Sequence, residues 1–353
     1  AEPSMYRLTV PAMLALFLSA LPAGSLASRE EPETTMEMQL LQHQSVLQFQ
    51  SAEEWRLKEA WPLEWVHFPK AGSSFINAIT HLPGTCPSLA NYLNQDTVSG
   101  GTCWLSRWLE NDCARVCNGN RFSCPQGGFP HLPVTNYSAK RGHMVGMFRD
   151  PDQRILSGYH DDGNNFASFT KENFGILNKI SNCKGDLLRG VPKRPLLEFA
   201  ERWKGGMTYQ LVSTDPAKLT LDPMRHKMTR ADGLEAARRV REGFAFVGMT
   251  EDWDLSICLF HKMFGGACHA EEFEDTRPGF AGKSADQDYD ISQFQGWHDD
   301  IDEVVYAAAL DVFRRNLIMF DVSQETCQEC YRAATVTHGE TSPLGHARAE
   351  TVQ

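Results

Sequence analysis

The chain has 353 residues, 42% of them apolar, enough to bury one large core or two modest ones. Its 34 basic and 45 acidic residues leave a net charge of -11, which excludes nucleic acid or another polyanion held over the whole surface. Any anionic ligand has to be met by a local basic patch, and ten cysteines fit disulfides in an oxidising compartment better than metal or redox chemistry in the cytosol.

In chain order, the first expected element is an address. After Met5 and Arg7, an uncharged run from Leu8 to Ala27 ends in Ser25-Leu26-Ala27, with small residues at the two positions a signal peptidase reads. Pro11, Pro22 and Gly24 weaken a spanning helix, so residues 1-27 are expected to be a cleaved signal peptide. The alternative is a type II signal anchor, which would be the chain's one contact with a membrane. Glu30 to Leu57 is polar and rich in Gln and Glu, with Leu40, Leu41, Val46 and Leu47 at partly helical spacing; residues 28-60 read as a stem. A folded domain is expected over 61-335 and a flexible, polar tail over 336-353, and the chain after Tyr331, rich in Thr, Gly, Glu and Ala, is expected to fray.

The domain opens on an apolar strand, Trp65 to Phe68, that runs into Pro69, Lys70, Ala71, Gly72, Ser73, Ser74 and Phe75. A helix is expected from about Phe75 to His81. At its start backbone N-H groups point outward, Gly72 permits close approach, Lys70 adds a compact positive charge, and Ser73 and Ser74 add hydroxyl donors. That combination suits a doubly charged phosphate or sulfate. It is not the nucleotide-triphosphatase loop, in which the lysine follows the second of two glycines.

Cys103, Cys113, Cys117 and Cys124 then cluster in a stretch rich in Gly, Asn and Arg. Structural disulfides are favoured over zinc there, since no histidine stands at ligand spacing within the cluster. The irregular segment continues through Gly127 and Gly128 to His131, and Asn136-Tyr137-Ser138 is a glycosylation sequon.

Gly142 to Phe148 reads as a second, buried strand, ending in Arg149-Asp150-Pro151. Pro151 suits the start of a helix, and Arg154, Ser157 and Gly158 fall on neighbouring turns of it. A guanidinium from Arg149 and a hydroxyl from Ser157 can thereby converge on one phosphate. Taken alone, Arg149 would be assigned to a surface pair with Asp152 or Asp161.

Lys140 with Arg141, and Lys184, Arg189, Lys193 and Arg194, are the basic clusters, and a solvated face is their ordinary role. Further on, Ala231 to Glu242 is expected to be helical, Phe244 to Gly248 a strand, and Glu251 to Phe264 a helix with Thr250 as its cap. Cys258 and Cys268 are placed to close a short loop. A late helix is expected from about Ser292 to Ile318, with Ile301, Val304, Val305, Ala308, Val312 and Phe313 on its apolar face. Cys327 and Cys330 form a C-x-x-C without a preceding strand, which argues against a thioredoxin-like pair. Strands alternating with helices imply an α/β fold, a single domain with a mostly parallel central sheet flanked by helices, which holds ligands at the carboxyl ends of its strands.

The two strand-end motifs, in this order and separation, resemble sulfotransferases that use 3'-phosphoadenosine 5'-phosphosulfate, most closely the Golgi carbohydrate branch. Each motif alone fits an ordinary corner, and the ordered pair is far more specific. The resemblance covers about Trp61 to Cys330 and implies a P-loop-like sulfotransferase fold. It implies that Lys70, Ala71, Gly72, Ser73, Ser74 and Phe75 bind the 5'-phosphosulfate. The Arg-Asp-Pro-x-x-Arg-x-x-Ser-x-Tyr pattern, at Arg149, Asp150, Pro151, Arg154, Ser157 and Tyr159, would bind the 3'-phosphate. Phe246 to Glu251 resembles a Phe-Val-Gly-x-Thr-Glu segment of the same family, read here as core packing. Arg277 and Lys283 are minor candidates for a late nucleotide contact.

The chemistry so implied needs a base for a weakly acidic sugar hydroxyl, and a side chain with pKa near 7 gives the greatest return. Among twelve histidines, His131 is the first choice. Its setting resembles heparan sulfate 6-O-sulfotransferases, with Trp104-Leu105-Ser106-Arg107 and Cys124 ahead of it, although Pro-His-Leu replaces Gly-Leu-His-Ala. His67 and His143 lie within apolar strands and His81 ends a helix, which makes them competitors, and Glu110 is a lesser one. Lys70 would also neutralise the departing phosphate. The expected acceptor is a glycan or glycoprotein in the Golgi lumen or secreted, with no metal and no nucleic-acid partner. A catalytically inactive nucleotide- or glycan-binding relative, and a cysteine-rich secreted binding protein, are the alternatives. Acceptor identity and oligomeric state have no signal in the sequence.

Overall fold

The computed structural model describes residues 58-83, 85, 131-160, 193-215, 226-273 and 288-336, all within the compact unit Phe49–Gln353. The N-terminal signal and stem, the Cys103 to Cys124 loop, Trp104 to Arg107, Glu110, Lys184, Arg189, Arg277, Lys283 and the tail after Val336 lie outside the described residues.

Among the described residues the chain is α/β, with an open sheet of three parallel strands: β1 (Glu64–Trp65), β2 (Met144–Phe148) and β3 (Phe244–Met249), in the order β1-β2-β3. Every residue of the central strand β2 is buried, as expected where helices cover a parallel sheet. Register runs Trp65 to Val145 and Phe148 to Met249, with an irregularity at Met144/Val145. β1 is shorter than the apolar run suggests. Val66 still donates to Val145 O (2.9 Å), but Pro69 has no N–H to donate and Lys70 turns to φ 64, so the chain leaves the sheet.

A single 3₁₀ turn, Ser73–Phe75, leads into α1 (Ile76–His81), and the short α2 (Tyr137–Lys140) precedes β2. After β2 comes α3 (Pro151–His160). Asp150 Oδ1 accepts from Asp152 N (3.0 Å) and Gln153 N (2.9 Å), an N-cap followed by proline at the first helical position. Then follow α4 (Leu196–Trp203), α5 (Gly206–Val212) and α6 (Arg230–Gly243). A capping box joins Thr229 and Asp232 at the start of α6. The remaining helices are α7 (Trp253–Phe264), α8 (Asp302–Met319) and α9 (Gln328–Val336).

The main core joins Phe68, Phe75, Phe148, Phe246, Phe260 and Phe313 with Trp65 of β1, Val145 of β2 and Val247 of β3. A smaller one packs Ile155, Leu156, Phe199, Trp203 and Phe294 under α3 and α4. Gly158 is required there, since a Cβ on it would fall 2.5 Å from the Trp203 ring.

Four expectations are corrected. The late helix is two pieces, a 3₁₀ turn at Ile291–Phe294 and then α8. Gln295 and Gly296 both take positive φ, which ends the first piece. Thr250 is not a cap: α7 begins at Trp253 with Asp252 in the capping position. The chain past Tyr331 does not fray at once, because α9 runs to Val336. Cys258 and Cys268 do not bond each other. Among the described residues the disulfides are Cys258–Cys327 and Cys268–Cys330, which tie the α7 region to the C-terminal segment and split the C-x-x-C between two bridges. They span 69 and 62 residues, and a loop of that size is worth about 4 kcal/mol of chain entropy. The two close nearly the same loop, so the second adds much less than the first. Among the described residues no helix is long and apolar enough to cross a membrane.

Candidate active site

The Lys70 turn and Arg149, of the sequence-predicted residues, come together at the carboxyl ends of β1 and β2. These strands are hydrogen-bonded neighbours running the same way, so their ends share one edge of the sheet at about 4.8 Å spacing. The Lys70 turn leaves β1 and the Arg149 segment leaves β2. Arg149 Nη1 donates to the backbone carbonyl of Lys70 at 3.4 Å, and through that contact the two motifs meet.

The turn is strained where the sequence allows it. Lys70 and Gly72 both sit at positive φ (64 and 72), which costs Lys70 on the order of 1 kcal/mol and Gly72 little. Gly72 also has a packing reason. A Cβ there would meet Trp253 Cζ3 at 2.6 Å and Thr250 Cγ2 at 3.2 Å, so the segment after β3 walls the turn. Trp253 is itself fixed by donating Nε1–H to Glu272 O (2.7 Å). This wall is what sequence reasoning missed: Phe246 to Glu251 is more than core packing, because the residues just beyond it set how close the chain can come to Gly72. Ala71 and Phe75 are buried, whereas Lys70, Gly72, Ser73 and Ser74 are half-buried. Ala71 N–H is committed to Phe68 O (3.3 Å) and Phe75 N–H to Gly72 O (3.1 Å).

Arg149 is half-buried. Burial lowers its pKa, against the charges of Glu251 and its neighbours. It stays a cation all the same, since a guanidinium does not deprotonate in proteins. Its Cζ lies 5.9 Å from the centre of the Tyr289 ring. Gln153 on α3 brings Tyr289 there by donating to Tyr289 O (2.9 Å) and accepting from Tyr289 N (2.7 Å). Asp150 N–H donates to Glu251 Oε1 (2.7 Å), which ties the ends of β2 and β3. The surface pair with Asp152 does not form; Asp152 binds His298 instead (2.8 Å).

The remaining residues of the second motif divide. Ser157 is buried on α3, and no hydrogen bond joins it to Arg149. Arg154 serves the fold. It is fully buried, 3.0 Å from Asp302 Oδ2 and 3.9 Å from Asp299 Oδ2. Asp302 also accepts from Met207 N and Thr208 N (2.8 Å each), so the charge is paired and hydrogen-bonded together. Tyr159 donates to Arg194 O (3.0 Å).

His131 lies against β1. Its Nδ1 is 2.9 Å from His67 O, and the two rings are 4.3 Å apart. A carbonyl oxygen can only accept, so Nδ1 carries the proton and the basic lone pair of the neutral ring is on Nε2. The same carbonyl accepts from Gln210 Nε2 (2.8 Å) of α5. His67 is buried and stacks on Trp65 at 4.3 Å, and His143 is engaged with Ala60 O (2.9 Å). Neither lies in a strand, since His67 follows β1 and the half-buried His143 precedes β2, and His81 belongs to a different buried cluster.

The basic clusters are taken up elsewhere. Lys140 pairs with Glu64 and Arg141 with Glu242, while Lys193 donates to Tyr159 O and Arg194 binds Glu198. The chain matches no protein-family profile, no curated protein and no solved structure.

Proposed function

We propose that this chain is a carbohydrate-type sulfotransferase of P-loop-like fold, moving a sulfuryl group from 3'-phosphoadenosine 5'-phosphosulfate to a glycan or glycoprotein hydroxyl. The observation that carries this reading is the meeting of Arg149 and the Lys70 turn at adjacent parallel strand ends. The turn fits a phosphosulfate. Gly72 lacks the Cβ that would strike Trp253, the backbone is at positive φ on either side of Ala71, and Lys70 is the cation of the turn.

The nucleotide supplies an activated sulfuryl group and a phosphate that leaves readily. Lys70 neutralises charge as it builds on that phosphate oxygen, a preorganised term worth most where water is excluded. Arg149 and Ser157 hold the 3'-phosphate and so set the register of the donor. His131 Nε2 takes the proton of the acceptor hydroxyl, because His67 O fixes the proton on Nδ1 and Gln210 fixes His67 O. No step assigned to these residues calls for a metal. The disulfides favour a secretory compartment, with the Golgi lumen or the cell exterior as the place of action.

The experiment is transfer of labelled sulfate from the donor to a panel of glycans. Wild type labels at least one acceptor, and Lys70→Ala and His131→Ala each lose about 10²-fold or more. Label on no acceptor removes the enzyme reading and leaves a binding protein. Full activity in His131→Ala moves the base elsewhere.

A further inference from the structure

A second cluster of chemistry-bearing residues, whose side chains have no part in the sulfuryl-transfer reading, is buried where α1, α7 and the 3₁₀ turn Ala270–Glu272 meet. His261 Nε2 is 2.8 Å from Glu272 Oε2, and His81 Nδ1 is 3.4 Å from Glu272 Oε1, within charge-pairing reach but without a hydrogen bond. The side chains of His81, His261 and Glu272 are 1%, 4% and 0% exposed. Both ring nitrogens of His81, Nδ1 of His269 and Oε1 of Glu272 make no hydrogen bond among the described residues. Orphan polar atoms at this depth are rare, and each costs free energy.

His261, Cys268 and Glu272 present one ligand atom each, all within 4.8 Å of one another. An imidazole, a sulfur and a carboxylate are the donor set of zinc. Cys268 is bonded to Cys330, yet that bond is the dispensable one of a pair. Cys258–Cys327 ties the same two segments and is fully buried, whereas Cys330 is half-buried and Cys268 lies inside.

We propose that His261, Cys268 and Glu272 form a zinc site that the Cys268–Cys330 disulfide closes and its reduction opens. The thiolate of a small dithiol attacks the more accessible Cys330 sulfur, and the S–S electron pair leaves on Cys268. The second thiolate of the dithiol then attacks the mixed disulfide. Cys330 leaves as a thiolate and takes a proton from water, and the dithiol ends as its own disulfide, having given two electrons. The Cys268 thiolate then binds the metal with Glu272 and the neutral Nε2 of His261, whose proton goes to solvent. Tetrahedral zinc sets N and O ligands roughly 3.4 Å apart, so the 2.8 Å His261 to Glu272 contact opens slightly. His81 Nδ1 stands 3.4 Å from the other carboxylate oxygen. The bridge that remains keeps α9 in place throughout.

The test uses the full chain with Cys330→Ser, purified without reductant so that its other disulfides stay closed. It is titrated with cobalt(II) and assayed for zinc after dialysis. One metal per chain and a thiolate-to-cobalt absorption band are expected. Cys268→Ser in that background abolishes the band, and it and Glu272→Gln each weaken zinc by at least about 10-fold. The oxidised wild type takes up no stoichiometric metal and gains one on treatment with a dithiol. Where Cys330→Ser does not fold, dithiol-treated wild type against dithiol-treated His261→Gln gives the same readout, one fewer metal in the variant. No metal in the folded Cys330→Ser chain, equal binding with and without Cys268, equal binding by the oxidised wild type, or no loss in His261→Gln would each overturn the proposal.

Discussion

Arg149 and Arg154 lie five positions apart in one sequence motif, and the fold gives them opposite work. Arg149 stands at the strand end, donating one weak bond to a backbone carbonyl beside an aromatic ring. Arg154, barely more than a helical turn on, is sealed with two aspartates under α3. The difference teaches that residue type and spacing mark a motif without saying which of its charges faces a ligand. Burial decides that: a guanidinium whose charge is already met by carboxylates and backbone donors has little left for a phosphate.

The sharpest way to break this comparison is to remove each arginine. Arg154→Ala strands Asp299 and Asp302 without their cation, and a loss of about 3–5 kcal/mol in denaturant unfolding is expected. Arg149→Ala should change stability by no more than roughly 0.5 kcal/mol. Equal losses from the two would show that Arg149 is structural as well.

Gly72→Ala is expected to cost about 1–3 kcal/mol, since it adds a side chain at positive φ and drives a Cβ to 2.6 Å from Trp253. Combining it with Trp253→Leu should recover part of that loss. No recovery would mean that backbone conformation alone sets the need for glycine.

A smaller effect is set by pH at the cluster beneath Arg154. Burial opposes a charge on His298, but the hydrogen bond to Asp152 and the charges of Asp152 and Glu303 outweigh it and raise its pKa. Its contribution is therefore full below pH ~6.5 and is lost as pH rises through the raised folded value. Asp299 acts in the same direction. Burial first, and then the charge of Asp302, push its carboxyl well above the usual range, so the folded state holds the extra proton and stability falls as pH rises. His298 is 42% exposed, which limits its share to less than about 1 kcal/mol. Thermal melts at pH 6 and pH 8 should show the lower midpoint at pH 8, and His298→Gln should narrow the gap.

Part of the fold was legible in sequence, because β2 and β3 are continuous apolar runs and α3 and α6 carry clear starts. Met144 to Phe148 is buried at every position, and Asp150-Pro151 caps a helix where such a pair should. The site was legible in part. The Lys70 turn and Arg149 stand at strand ends, and parallel topology brings strand ends together without any local sign of the contact. What stayed hidden depends on packing between distant segments. Trp253 reaches Gly72 from far along the chain, Gln210 orients His67 O, and the cysteines pair across more than sixty residues. Arg154 was hidden for the same reason, since its two aspartates lie well over a hundred residues away.

The central claim, that one nucleotide is held jointly by the Lys70 turn and Arg149, is tested most directly by calorimetry with adenosine 3',5'-bisphosphate. Saturable binding to the wild type is predicted, weakened by about 10-fold or more in each of Lys70→Ala and Arg149→Ala. Arg154→Met, where it folds, should bind nearly as wild type does. Absence of binding to the wild type, or undiminished binding in both of the first two variants, would contradict the account.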